Sequence, residues 1–371
     1  MDRITLLICA FICMNSHGQQ VKPNDIPLQE EVKKYTFETV ADGINNPWGM
    51  AFLPDGTMLV TEKSGVVYHI KNGVKTEVKN VPAVYSRGQG GLLDIVLHPD
   101  YANNGWIYIT YSNKEGEGSN TKLIRAKLEN ESLTQIESLY KCGPNTAKSH
   151  HFGSRIVFDN EGYLYFSAGE RGEHFVNPQD ITRDNGKIYR LNDDGSIPND
   201  NPFVGQPKAK EAIYSYGHRN PQGLVKHPVT GVIWEHEHGP QGGDEINVIK
   251  KGANYGWPVV TYGIDYDNSI ISKEKQKEGI EDPIYYWLPS IAPSGMTFVT
   301  GDKYPDWKGA LLVGSLKFQY LEILKLDGYK VISRQKAAVN IGRIRNVAQG
   351  PDGYIYIGAE GKGILKIIPN P

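Results

Sequence analysis

The residues with the most chemistry to offer are Gln89, His151, Arg219, Asn220, Lys317, Arg343 and Arg345. Each sits just before or just after a short apolar run. Together they supply four cations, two amides and one histidine. Gathered at one point, the set suits a small planar polyanion, because arginine forks match carboxylates and lysine adds a point charge. Taken singly, each has a plainer role. Lys317 reads as a solvated lysine, Arg343 and Arg345 as a salt-bridge row along one side of a strand, and His151 as a structural hydrogen-bonder. Their joint occurrence at equivalent places in a repeat favours a common site.

A second cluster runs Glu235-His236-Glu237-His238-Gly239-Pro240-Gln241-Gly242-Gly243-Asp244-Glu245. His236 and His238 share a face of a strand, which allows zinc, although a third ligand is not evident. The Gly-Pro-x-Gly-Gly stretch offers carbonyls instead, and carbonyls with carboxylates suit calcium. Glu245, followed by Asn254-Tyr255-Gly256-Trp257-Pro258, has the look of a second calcium-linked loop; its alternative is a structural turn around a packed Trp257.

These residues need elements to bring them together, and a repeat supplies them. Six copies of a two-strand unit recur, each with a turn rich in Asp, Gly or Pro. The first is Trp48 to Phe52, then Met58 to Val60. The second is Gly91 to Leu97, then Trp106 to Ile109. The third is Ser154 to Phe158, then Tyr163 to Phe166. The fourth is Gln222 to Val225, then Val232 to Trp234. The fifth is Ser294 to Phe298, then Ala310 to Val313. The sixth is Ile344 to Ala348, then Tyr354 to Ile357. No long stretch has helical periodicity. A hairpin cannot bury both faces alone, so the copies must pack on one another, and six in a ring remove most open edges. The expected fold is all-β, a six-bladed β-propeller, with two stacked sandwiches as the alternative. Tyr35 to Val40 is expected to add a strand to the last blade and close the ring. In a ring, equivalent positions converge on one axis, which gathers the polar set at one mouth. Glu170 to Asn185 and Tyr262 to Leu288 are expected to be long functional loops.

The net charge of −2 gives no basis for a nucleic-acid or anionic-membrane partner. Arg3, the apolar run Ile4 to Met14 and the polar exit Asn15 to Gln20 read as a signal peptide over residues 1–20. The run is too short to span a bilayer. Residues 21–371 would then be a single propeller domain, preceded by a polar leader over Val21 to Gln29, in a periplasmic or secreted protein. Cys9 and Cys13 would leave with the signal. Cys142 would remain alone, so stability must come from the core rather than from an internal disulfide.

The motifs Gly88-Gln89-Gly90-Gly91-Leu92-Leu93, His151-x-x-x-Arg155, Gly186-Lys187-Ile188-Tyr189-Arg190-Leu191, Gly217-His218-Arg219-Asn220-Pro221-Gln222-Gly223-Leu224, Asp244-Glu245-Ile246-Asn247, Asn254-Tyr255-Gly256-Trp257-Pro258, Gly314-Ser315-Leu316-Lys317 and Arg343-x-Arg345 occur in order. Over residues from about Asn46 to Ile368 the chain resembles the soluble pyrroloquinoline quinone (PQQ)-dependent glucose and aldose sugar dehydrogenases. The resemblance implies oxidation of a sugar at its anomeric carbon to a lactone, with His151 as general base and hydride passing to the quinone. It implies a PQQ pocket made by Gln89, Arg219, Asn220, Lys317, Arg343 and Arg345. It implies one calcium on the carbonyls of Gly239 and Pro240, and a second, structural calcium at Glu245 and the Tyr255 carbonyl. The compact Glu170 to Asn185 segment places the chain nearer the aldose branch, and Glu170 keeps an acid where the glucose branch has one. A sorbosone or other aldehyde dehydrogenase, a calcium-dependent propeller lactonase and a non-catalytic binding propeller are the competing readings. The cationic axial set disfavours the lactonase, which needs carboxylates around a central metal. The expected partners are a sugar and a soluble electron acceptor, with the protein a monomer or homodimer and no stable membrane insertion.

Overall fold

The computed structural model describes residues 26–370. The signal-peptide expectation, with Cys9 and Cys13, lies outside the described residues. Strands segregate into six sheets, each an antiparallel meander stepping outward from a central axis. The innermost strands are Pro47–Phe52, Leu92–Leu97, Ile156–Phe158, Pro221–Lys226, Pro293–Phe298 and Ile344–Gln349. Each packs against the innermost strand of the next blade, and the sixth packs against the first, so the ring is closed. This is the expected six-bladed propeller.

The turns explain the hairpins. In three copies an aspartate carboxylate accepts backbone N–H groups just ahead of it: Asp55 from Thr57, Asp159 from Glu161 and Tyr163, and Asp352 from Tyr354. The side chain thereby fixes the reversal before the second strand begins. Strands then pack blade to blade. Apolar clusters lie between blades one and two around Leu59 and Ile109, two and three around Leu123 and Phe166, and three and four around Ile188 and Leu224. Others lie between four and five around Trp234 and Leu311, five and six around Leu312 and Ile357, and six and one around Val60 and Ile364. No blade has a core of its own, so the ring folds as a unit.

The ring closes where the sequence indicates. Tyr35–Ala41 pairs antiparallel with Gly363–Pro369 as the outer strand of blade six. Two expectations are corrected. The polar leader is partly structural: Ile26 is buried in the core, and Leu28–Gln29 adds a parallel strand to the edge of blade five. The Tyr262 to Leu288 interval is not wholly a loop, because Tyr285–Trp287 is the outer strand of blade four. Its Tyr285 and Trp287 point into a buried cluster, which compensates the long detour. Among the described residues, helix is confined to Tyr101–Asn104 and a 3₁₀ turn at Pro305–Trp307. None is long and apolar enough to cross a membrane.

In five blades the innermost strand carries a bulge at the same end, for example between Pro47 and Gly49 and between Ile344 and Asn346. Bulges re-aim side chains at sheet rims. Blade three has instead an irregular turn, with His151 at φ 57° and Ser154 at φ 101°. Both backbone devices fall at the mouth that gathers the polar set.

Candidate active site

His151 sits on that turn, and every neighbouring blade holds it. Its N–H donates to Gln89 Oε1 at 2.8 Å. Thr121 Oγ1 donates to Phe152 O at 2.6 Å, and Gly153 N donates to Asn220 Oδ1 at 3.1 Å. The Gly169 Cα lies so close that a Cβ there would come within 2.3 Å of the His151 carbonyl oxygen. The next residue is Glu170, whose Oε1 makes a short hydrogen bond to His151 Nδ1. With Nδ1–H donating to the carboxylate, Nε2 is left as the ring nitrogen with a lone pair. Burial, then the Arg219 charge, holds the imidazole well below its ordinary pKa of 6.5. Burial holds the Glu170 carboxyl above its ordinary value. A neutral, oriented histidine with a carboxylate behind it has the chemistry to accept a proton at Nε2.

Gln89, His151, Glu170, Arg219, Pro240 and Trp257 line one cavity of about 350 Å³. Arg219 Nη1 donates to the carbonyls of His238 and Gly239 at 3.0 and 3.1 Å, and its guanidinium stands 5.3 Å from the Trp257 ring. Arg345 is mostly buried and Arg343 exposed. Both bond Glu360, at 2.6 and 2.8 Å. Arg343 also donates to the carbonyl of Leu316, which puts Lys317 beside the pair; the Lys317 side chain is exposed, with Nζ 5.3 Å from the Phe318 ring. Burial first, then the Arg219 and Arg345 charges, push the His238 imidazole down to about 3.

The structure therefore brings Gln89, His151 and Arg219 to one cavity, sets Asn220 behind it, and groups Lys317, Arg343 and Arg345 at the junction of blades five and six. Several buried polar atoms at the site have no protein partner: Arg345 Nε, Asn220 Nδ2 and Glu170 Oε2. Orphaned buried donors among cations fit a ligand with several carboxylates. Three contributors escape sequence reading. Glu360 aims both arginines. Lys63 shares the field of Arg345 and donates to Gly88 O at 2.7 Å. Tyr266, on the long loop, lines the cavity and is 68% exposed. Only the tyrosine's loop carries a signal, its unusual length.

A metal reading settles on different residues from the His236–His238 pair. His238 Nε2 bonds the Pro293 carbonyl at 2.6 Å. The His236 ring is packed against Gly223, where a Cβ would approach it to 2.3 Å. Their shared face points into packing, which excludes the zinc alternative there. Among the described residues, His218, Glu235 and Glu237 have ligand atoms within 4.8 Å of one another. Glu245 pairs with Glu237 across the strands, and both line a small cavity with Tyr255. Burial, then the Glu237 charge, pushes Glu235 and Glu245 well above their ordinary range. Among the described residues, His218 Nδ1, Glu235 Oε1 and Asn247 Oδ1 have no hydrogen-bond partner, and His218 Nδ1 stands 3.6 Å from Glu237 Oε1. Buried acids with orphaned oxygens fit a hard divalent cation. The neighbouring Gly239-Pro240 turn is held by Asp244, which accepts from Gly239 N at 2.8 Å and from Ser290, Ile291 and Ala292. The Gly239 carbonyl, expected to meet calcium, here accepts from Arg219.

The axial mouth of the propeller thus joins a buried His–Glu pair to a cluster of cations. A model of the glucose/sorbosone dehydrogenase family matches residues 44–366, and the chain belongs to that family of sugar dehydrogenases. It is 40% identical over 380 residues to an aldose sugar dehydrogenase of Escherichia coli, covering 100% of both. It superimposes on the apo crystal structure of the soluble E. coli aldose sugar dehydrogenase with a TM-score of 0.86 at 38% identity, covering 91% of this chain and 100% of that one. It also matches the PQQ-bound aldose sugar dehydrogenase of Streptomyces coelicolor, with a TM-score of 0.75 at 29% identity over 90% of this chain and 98% of that one.

Proposed function

We propose that the protein oxidises aldose sugars at the anomeric carbon to lactones, using PQQ and calcium. The observation that carries this reading is the oriented His151–Glu170 pair in a cavity shared with Gln89 and Arg219. Bound there, PQQ would supply the two-electron acceptor for the hydride of the sugar carbon. Arg219, Lys317, Arg343 and Arg345 would hold its carboxylates, with Gln89 and Asn220 fixing its orientation. His151 Nε2 takes the proton of the anomeric hydroxyl. Glu170 orients the ring through Nδ1 and offsets the positive charge the imidazole gains. Arg219 would offset negative charge on the bound acceptor. The carbonyls of Gly239 and Pro240 are the proposed ligands of a calcium beside the cofactor. Glu245 and the Tyr255 carbonyl are those of a structural calcium, with Glu237 adjacent. Oxidation of sorbosone or another aldehyde is the alternative within the same family, as the family's own description allows.

We also propose export, with residues 1–20 removed and 21–371 forming one domain that acts with a soluble electron acceptor. The test is dye-linked oxidation of glucose and other aldoses by purified protein, with and without added PQQ and calcium, beside H151A. Activity that needs both additions and collapses in the variant supports the reading. Absence of PQQ binding and of dye reduction with every sugar refutes it.

A further inference from the structure

Arg155 belongs neither to the proposed cofactor cradle nor to the base pair, yet its guanidinium lies buried on the axis. From blade three its donors reach four other blades. Nε donates to Gln222 O of blade four at 2.9 Å, and Nη1 to Trp48 O of blade one at 3.1 Å. Nη1 also meets Asp94 Oδ1 of blade two at 3.1 Å, and Nη2 donates to Arg345 O of blade six at 2.8 Å. Blade five joins at one remove, because Ser294 Oγ donates to the same Arg345 carbonyl at 2.9 Å. The guanidinium also stacks 4.2 Å from the Trp48 ring. Asp94 answers the charge, and its second oxygen accepts Ile156 N at 2.9 Å.

This knot lies between two spaces. Arg155 and Asp94 wall an axial cavity of about 410 Å³ lined by the innermost strands. On the site side are Arg345, whose carbonyl Arg155 holds, and His151, four residues upstream. The intervening turn keeps two non-glycine residues at positive φ. Such conformations cost about 1–3 kcal/mol each and persist only where the surroundings over-determine them. Three of the four bonds from Arg155 end on backbone carbonyls, so it fixes main chain rather than side chains.

We propose that Arg155 is a positioning residue for the cofactor site, setting the backbone of Arg345 and of the His151 turn from beneath. The proposal rests on the functional reading above. A lysine keeps the charge against Asp94 but cannot reproduce the fork that spans four blades. The experiment measures PQQ affinity of R155K by cofactor titration in excess calcium, together with Tm, kcat and sugar KM. The control is R334K, which weakens a buried pair to Glu322, 2.6 Å long, in blade five away from the axis. In R155K the PQQ Kd rises at least about tenfold and kcat falls at least about tenfold, with sugar KM changed less than about twofold, the signature of misplaced groups. R334K loses Tm and leaves PQQ affinity unchanged. S294A removes the other donor to the Arg345 carbonyl and weakens PQQ by about threefold. Cofactor affinity and kcat in R155K equal to wild type, or reduced no more than in R334K, overturn the proposal. So does an R155K that fails to fold together with an S294A that binds PQQ normally. Wild-type protein that binds no PQQ removes the functional reading, and this proposal with it.

Discussion

Glu170→Gln is the sharpest perturbation of the site. The amide oxygen still accepts from His151 Nδ1, so the ring keeps its tautomer and orientation; what is lost is the negative charge. When Nε2 takes a proton, the imidazolium and Glu170 form an ion pair. At a charge separation of about 4 Å and an effective dielectric of about 20, that pair is worth about 4 kcal/mol. Both partners are buried, with Glu170 1% exposed, so solvent screens little of it. Since about 1.4 kcal/mol is tenfold in rate, kcat falls by about 10² to 10³ while sugar KM stays near wild type. The pH profile gives an independent reading. Burial and the Arg219 charge hold His151 well below 6.5, so the base is free across neutral pH and kcat/KM falls only on the acid side. Glu170, raised by burial, contributes to the same acid limb by losing its charge there. Without the carboxylate the imidazolium is less favoured, so the variant's limb moves to lower pH still. Dye-linked initial rates at saturating PQQ and calcium, from pH 4 to 9, measure both. A kcat within about threefold of wild type, or a limb that moves to higher pH, refutes the reasoning.

The remaining predictions concern the scaffold and the ions. With calcium removed, stability falls as pH rises above the ordinary glutamate range, because Glu235 and Glu245 bind protons more tightly folded than unfolded. Calcium reverses this, its affinity rising with pH, and at about a hundredfold over Kd it adds about 2.7 kcal/mol, read as a Tm increase in calorimetry. K187M removes a buried donor from the carbonyls of Asn177, Pro178 and Asn185. It destabilises by about 3 kcal/mol and lowers kcat, because that segment carries Glu170; denaturant melts with parallel assays check both. D244N sets an amide against the N–H groups of Gly239, Ile291 and Ala292. It costs about 2–4 kcal/mol and weakens calcium retention, measured by metal analysis after dialysis. L123A opens a void between blades two and three and costs about 3 kcal/mol in urea melts without changing sugar KM.

The bland readings of single residues show why the set had to be judged together. Lys317 is indeed exposed, and Arg343 with Arg345 does form a salt-bridge pair, to Glu360. Both plain roles hold, and neither conflicts with a place at the mouth. The pair's partner, Glu360, stands across the blade-six hairpin from Arg343, to whose carbonyl its N–H donates at 2.9 Å, a pairing that only the strand register reveals. The histidines reverse in the same way. Alternation correctly puts His236 and His238 on one strand, but what the shared face meets is decided by Gly223 and Pro293, which come from other strands.

The sequence by itself determined the architecture and its closure. Six copies of a hairpin with apolar faces cannot be buried one at a time, and Tyr35–Ala41 supplies the strand that the last blade lacks. It also determined which residue types gather at the mouth, because equivalent positions in a ring share an axis. Tertiary structure decided the rest: that Glu170 stands behind His151, that the acids at 235, 237 and 245 crowd around His218, and that Arg155 ties the blades together on the axis. The Arg155 contacts join different blades and the other two pairings join neighbouring strands and turns within a blade; each rests on distance and burial, and linear spacing encodes neither.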